Sequence, residues 1–395
     1  MENIPKIRYQ EFTNQWKKQK IGSITTSYSG GTPKSSNKDY YSGEIPFIRS
    51  GEVNSNMTEL SINEEALKNS SAKLVEKGDI LYALYGATSG EVSTSKINGA
   101  INQAILAIKP HEYYSSEFIV NFLKKEKDNI LDKYLQGGQG NLSAAIIKGL
   151  EISLPTYSEQ SAIGSLFRTL DDLLSSYKDN LTNYQAFNAS MLSKMFPKVG
   201  QKVPEIRLAG FEGEWTQDQA DKIFKPFSEK NRADLPVLSA SQVDGMVLRG
   251  EIGIDIKYDE TTLINYKVVR PNQFVIHLRS FQGGFALSKI EGITSPAYTI
   301  IGFIEKDKHN SEFWNCILTS TSFIKLLETV TYGIRDGKSI SFKDFSSLKF
   351  MFPTPEEQIA IANLFSNLDT LISFYQDKIT QLETLKKKLL QDMFI

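Results

Sequence analysis

Residues 155–179 read PTYSEQSAIGSLFRTLDDLLSSYKD, and residues 353–377 read PTPEEQIAIANLFSNLDTLISFYQD. The second stretch is the first written again, 198 residues later and without a gap. The registration runs forward to Met195-Phe196 and Met393-Phe394. It runs backward to Tyr134 and Tyr332, and to Leu142-Ser143 and Ile340-Ser341. The starts of the halves repeat as well: Pro5, Ile7, Arg8, Phe12 and Trp16 match Pro204, Ile206, Arg207, Phe211 and Trp215. A period this long exceeds that of any solenoid, so the chain is a duplicated domain pair rather than an array.

In the first copy the apolar residues Ile163, Leu166, Phe167, Leu170, Leu173, Leu174, Tyr177, Leu181, Tyr184, Met191, Leu192 and Met195 recur at three- and four-residue steps. That spacing predicts a helix over 158–196, and its copy predicts another over 356–394. At 1.5 Å per residue each would be about 55–60 Å long. Pro155 and Pro353 precede the helices and Pro197 follows the first, as helix punctuation should. A lone helix cannot bury such a stripe. Two related by a pseudo-twofold axis would pack antiparallel.

Between lead and helix the halves diverge. Only faint echoes remain, such as Gly78-Asp79-Ile80-Leu81 beside Asn272-Gln273-Phe274-Val275 and Gly90 near Gly284. Short runs rich in Ile, Val, Tyr and Phe alternate with Gly, Asn, Ser and Asp, as in EIPFIRSGEV, GDILYALYGATSGEV, INQAILAIKP, PVLSASQV, NQFVIHLRSF and SPAYTIIGFI. These read as strands and turns. Helical stretches over 116–132 and 311–329 complete an α+β domain. One fold with two different surfaces is the expectation.

Composition narrows the class. At 395 residues, 40% of them hydrophobic, the chain is long enough for two or three folded domains. Cys316 is the only cysteine, which excludes an intrachain disulfide and a cysteine-pair zinc cluster. With no signal peptide evident, the expected compartment is the reducing cytoplasm. No apolar run approaches the roughly 20 residues that span a bilayer, so no membrane partner is expected. Formal net charge is −1, so any nucleic-acid site must be a local basic surface or be helped by a basic partner.

The two helical motifs, the GGTPKSSNKDYYSGEIPFIRSGEV opening, GATSGEV and INQAILAIKP resemble the type I restriction–modification DNA-specificity subunits, and the likeness covers essentially the whole chain. The resemblance implies a first target-recognition domain over 1–153 and a first conserved helix, the central spacer, over 154–198. A second recognition domain over 199–351 and a second conserved helix over 352–395 would follow. Two tandem α/β recognition domains would be joined by the long helices as an antiparallel coiled coil with internal pseudo-twofold symmetry. The implied partners are double-stranded DNA, two methyltransferase subunits and restriction–translocase subunits. The implied role is non-catalytic: each recognition domain reads half of a bipartite asymmetric site, while the coiled coil sets the spacer. No cofactor is expected in this chain; S-adenosylmethionine, ATP and magnesium would belong to the partners. The second variable region lacks the GGTP opening and the NQA triplet and carries SPAYTII instead. Two different half-site specificities would require such divergence.

Base reading needs donors and acceptors on loops held by strands. In the first half the candidates are Gly30, Gly31, Thr32 and Lys34; Arg49 and Ser50 after a strand; Tyr85 and Thr88 at a strand end; and Gln136, Gln139 and Asn141 in a polar loop, where amides can pair bidentately with adenine. In the second they are Lys230, Arg232, Ser239, Gln242, Arg279, Ser280, Gln282, Tyr332, Arg335 and Lys338. Each also has a plainer reading: glycine pairs make turns, and most single cations are solvated. The loops at 136–141 and 335–338 differ between matching flanks, which favours them. Lys386-Lys387-Lys388 reads as a solvated helix end.

Chemistry of its own is hard to find. There is no GxxxxGK[ST] phosphate loop, no GxGxxG after a strand and no [N/D]PP[Y/F] motif. His111, His277 and His309 show no paired spacing, and His277, in an apolar strand, reads as a core residue. Two other classes stay open at this point: an assembly scaffold without base readout, and a stand-alone nuclease with a scattered carboxylate site.

Overall fold

The computed structural model describes residues 4–135, 141–241, 244–252, 260–277, 284–330 and 340–395. The chain divides into two compact units, residues 1–179 with 375–395, and residues 180–374.

The first unit contains strands β1 (Lys17–Lys20), β2 (Thr25–Ser29), β3 (Ile45–Ile48), β4 (Ser61–Ile62), β5 (Lys73–Val75), β6 (Ile80–Ala83), β7 (Val92–Thr94), β8 (Gly99–Ile101), β9 (Ile105–Pro110) and β10 (Glu151–Leu154). Its helices are α1 (Ile21–Ile24), α2 (Glu64–Lys68), α3 (Ser116–Leu135), α4 (Ala144–Gly149) and the start of α5 (Tyr157–Lys194). Two four-stranded sheets, ordered β2-β9-β6-β7 and β4-β3-β8-β5, carry the unit, and β1 pairs with β10. All pairings are antiparallel except β3 with β8. Every strand run read from the sequence of this half contains a strand. The core packs Tyr82, Phe118, Phe122 and Ile108 against Ile163, Phe167 and Leu170 of α5.

The second unit repeats the plan with β11 (Thr216–Gln219), β12 (Phe224–Phe227), β13 (Leu238–Ser241), β14 (Gly245–Leu248), β15 (Lys267–Val269), β16 (Phe274–Ile276), β17 (Phe285–Leu287), β18 (Gly292–Thr294), β19 (Thr299–Phe303) and β20 (Lys349–Phe352). Its helices are α6 (Ala220–Ile223), α7 (Ser311–Leu318), α8 (Thr321–Val330), α9 (Phe342–Ser346) and the start of α10 (Pro355–Asp392). The sheet β12-β19-β16-β17 matches β2-β9-β6-β7 strand for strand. The single helical stretch expected over 311–329 is two helices. The Ser320 amide bonds the Ile317 carbonyl to close the first, and its hydroxyl accepts from the Phe323 amide to cap the second. This core is aromatic: Phe224, Phe274, Phe303, Phe313, Trp314, Phe345 and Phe350 form a continuous ring cluster.

Both long helices have 38 residues and start within one or two residues of the expected positions. Thr156 and Thr354 cap them, accepting from the amides of Glu159 (3.4 Å) and Glu357 (3.5 Å). The repeated Glu-Gln dipeptide explains itself at this point. Glu159, fully buried, receives a bidentate pair from Arg8 at 2.7 Å and 2.7 Å. Glu357 receives the same pair from Arg207 at 2.8 Å and 2.7 Å. Gln160 accepts from the Ser115 amide and donates to the Pro155 carbonyl; Gln358 accepts from the Asn310 amide and donates to the Pro353 carbonyl. Each unit is thus clipped to its helix by one buried ion pair and one buried amide that both accepts and donates.

Within the first unit α5 and α10 run antiparallel. Phe167 meets Phe394 (5.9 Å between ring centres), and Tyr177 meets Tyr375 (5.5 Å). Asp171 lies between Lys386 and Lys124. Lys386 is therefore a half-buried, ion-paired residue rather than the solvated one expected, while Lys387 and Lys388 are exposed. The periodicity could not show this, because the partner lies 215 residues away. In the second unit Asn188 meets Asp369 (3.4 Å), and Phe196 stacks on Phe365 (6.2 Å).

Candidate DNA interface

In the first unit the strands end together. β3 runs parallel to β8 with Ile48 beside Ile101, so Arg49 and Asn102 leave the sheet at one edge. Ser29 at the end of β2 pairs with Leu106, and Ala83 at the end of β6 pairs with Ile105, which brings Gly30 and Leu84 to that edge too. Backbone bonds tie the exits: Leu84 N–H to Ala104 O (2.8 Å) and Leu142 N–H to Leu84 O (2.9 Å). Tyr85 bridges Asn141. One rim therefore carries Gly30, Gly31, Thr32, Lys34, Arg49, Ser50, Tyr85, Thr88 and Asn141, dispersed over more than a hundred residues of sequence.

The side chains there fall into distinct groups. Thr32 Oγ1 donates to Gln103 Oε1 at 2.6 Å, and both residues are exposed. Lys34 is exposed. Arg49 is committed to Glu52 and Glu59, whose hydrogen bonds hold its guanidinium above its ordinary value. The two glycines are used by the fold itself. A Cβ on Gly30 would stand 1.8 Å from the Ile101 carbonyl oxygen, and one on Gly31 would stand 2.5 Å from Ser71 Cβ.

The second unit forms the corresponding rim. β12 ends at Phe227 opposite Ile300, and β16 ends at Ile276 opposite Thr299. Val237 pairs parallel with Ile293, so β13 leaves beside the 295–298 turn. Lys230 is exposed. Arg232 binds Asp234 bidentately at 2.8 Å, which lowers the Asp234 carboxyl. Ser239 Oγ accepts from Arg249 Nε at 3.0 Å. Lys267 Nζ donates to the Tyr298 carbonyl at 2.7 Å. Gln136, Gln139, Gln242, Arg279, Ser280, Gln282, Tyr332, Arg335 and Lys338 lie outside the described residues.

The rims add four residues that sequence reasoning left out of the candidate set. Gln103 was signalled by the NQA triplet. Lys73 and Lys267 align when the Gly78–Asn272 echo is extended five residues backward. Arg249 carried no signal, being an isolated cation in a variable stretch.

The titratable core groups are quiet. Burial pushes the Cys316 thiol up to about 12. Burial also lowers His309, whose Nδ1 accepts from Trp314 Nε1 at 3.3 Å. His277 is buried. Among the described residues no group of three or more His, Cys, Asp or Glu could hold a metal ion, and no helix is long and apolar enough to cross a membrane.

Two compact units, each presenting a polar rim of loop residues and fastened to one end of a long helix, define a modular recognition protein. The family model "Type I restriction modification DNA specificity domain" matches the chain twice, over residues 13–183 and 217–384, and the chain belongs to that family. It is similar to the MjaVIII type I restriction enzyme specificity subunit of Methanocaldococcus jannaschii, at 22% identity over 98% of this chain and 94% of that protein. The MjaIX specificity subunit of the same organism is 29% identical over 41% of this chain and 39% of its own length. The crystal structure of the type I restriction–modification S subunit from M. genitalium superposes with a TM-score of 0.63 at 16% identity, covering 99% of each chain.

Proposed function

We propose that this chain supplies the DNA address of a type I restriction–modification complex in the cytoplasm. Each rim reads one half of a bipartite, asymmetric double-stranded site. The paired helices set the spacer and dock two methyltransferase subunits, on which restriction–translocase subunits assemble. Methyl transfer from S-adenosylmethionine and ATP- and magnesium-dependent cleavage belong to those partners; this chain has no catalytic role. One observation carries the reading: two sheets of the same strand order, clipped to their helices by the same buried contacts, support two rims whose exposed side chains differ. A homodimer of one half would read a palindrome, whereas a fused and diverged pair reads two different half-sites.

The test is a single-molecule map of methylated bases in cells carrying the gene with its cognate methyltransferase, and in cells lacking it. The expected result is a split motif of fixed spacing that vanishes with the gene. Exchanging residues 17–153 for those of a relative should change one half of the motif only. Active cells in which no methylation depends on the gene would sink the proposal and favour a pure scaffold or a stand-alone nuclease.

A further inference from the structure

Each rim holds one lysine at the same place. Lys73 begins β5 and sits opposite Ile101, the last residue of β8 before the 102–104 turn. Lys267 begins β15 and sits opposite Thr294, the last residue of β18 before the 295–298 turn. Each strand also lies against the segment that follows β2 or β12: Ser71 stands beside Gly31, and the Val268 amide bonds the Glu229 carbonyl. Around them the two rims share almost no side chain: Gly30-Gly31-Thr32 stands against Glu229-Lys230-Asn231, and Asn102-Gln103 against Ser295-Pro296. Divergence has replaced what surrounds the lysines and left the lysines.

Two half-sites of different sequence have one thing in common, the phosphate backbone. From this equivalence we infer that Lys73 and Lys267 are matched phosphate contacts, which seat each domain on its duplex while the diverged residues around them read the bases. The inference rests on the DNA-reading role proposed above. The surroundings suit an anion. Lys73 is exposed, and among the described residues neither lysine forms an ion pair. Lys267 is aimed across the 295–298 turn by its bond to the Tyr298 carbonyl. Burial, and then repulsion from Lys230, lower its affinity for its proton, and a phosphate oxygen between the two ammonium groups would offset both by favouring the charged form. A competing role exists. β5 lies at a sheet edge, where a lysine discourages strand addition. Such a lysine would have no effect on DNA affinity.

The two roles separate by salt dependence. The complex of this chain with its methyltransferase subunits would be titrated against a labelled duplex carrying the mapped motif, from about 50 to 200 mM salt. Lys73→Gln and Lys267→Gln should each weaken binding roughly threefold or more and reduce the slope of log affinity against log salt by about 0.9. The double variant should lose about twice that slope. The methylated motif should stay unchanged. Lys73→Arg and Lys267→Arg should restore the slope, which guards against misfolding as the cause. Lys77→Gln, an exposed cation beside Asn98 at the far end of β8, should leave the slope as in the wild type. An unchanged slope in the glutamine variants overturns the inference and leaves the DNA-reading proposal standing. A changed base in one half of the motif also overturns it, since the lysine would then read sequence. A wild-type complex that does not prefer the mapped motif takes down both.

Discussion

Just after β2 the first rim is built close against its own strands, whereas the matching position after β12 in the second is held by an ion pair. Gly30 lies so near the Ile101 carbonyl that no side chain fits, but the matching position in the second unit carries Glu229, which reaches out to Arg270 at 2.5 Å and 2.9 Å. Below the rims the two units agree in detail. Gly78 and Asn272 both take a positive φ, +98° and +68°, at the turn before β6 and β16. Asp79 accepts from the Glu76 amide, and Gln273 accepts from the Arg270 amide, each at 2.8 Å. Ser95 and Ser288 each donate to a carbonyl two residues on, at 2.7 Å. The halves therefore diverged at the surface while keeping the hydrogen bonds that hold the surface up. A recognition element must change that way to acquire a new target without losing its fold.

The comparison is easiest to break at the buried clip. Glu357→Ala leaves Arg207 unpaired against a buried site, and Glu159→Ala does the same to Arg8. Each should lose about 3–5 kcal/mol of stability in a denaturant titration. The near-equal geometry predicts near-equal losses. A loss below about 1 kcal/mol in either would mean that the pair is solvated in practice and that the clip does not hold the unit. At the rims the expected effects are smaller and unequal. Gly30→Ala forces a Cβ against backbone and should destabilise by about 1–3 kcal/mol. Glu229→Ala removes an exposed ion pair and should change stability by less than about 1 kcal/mol. Equal effects at the two positions would contradict the difference in how the rims are built.

Much of this was legible in the sequence, for reasons that particular residues make plain. The helices were readable because Ile163, Phe167, Leu170 and Leu174 repeat a period that only a helix presents to one side, and all four are buried. The strand runs were readable because Gly, Asn and Ser bound them. The rim was readable only as fragments. Thr32, Arg49, Tyr85 and Asn141 were singled out one at a time, and nothing local indicates that β3, β6 and β8 end at one edge. Side-chain partners escaped, near and far in sequence: Glu52 and Glu59 on Arg49, Arg249 on Ser239, and, 215 residues away, Asp171 on Lys386. Pattern reports which way a residue faces; which residue faces it back depends on topology, and only the internal duplication gave the sequence a trace of that.

The subtlest difference between the halves lies on the helices. Asp171 and Asp369 are equivalent positions, 198 residues apart, as are Lys386 and Asn188. Asp171 has two lysines beside it; Asp369 has the Asn188 amide and no ion pair among the described residues. Partial desolvation by the protein around it raises the Asp369 carboxyl above its ordinary value although the residue stays open to solvent, and the Asn188 hydrogen bond and then Lys289 only partly offset this. The sign follows from proton uptake. With its affinity for the proton raised in the folded state, Asp369 contributes stability that is fully present below the unfolded carboxylate value and is lost as pH rises through the raised folded value. Asn188→Lys gives Asp369 the cation that Asp171 already has. Its carboxyl should then titrate lower, and the low-pH contribution should shrink. Because Asp369 is exposed, the stability change should be near the limit of measurement. The readout is therefore the carboxyl's own NMR titration, where no downward movement in the lysine variant would show that solvent, not position 188, sets the charge.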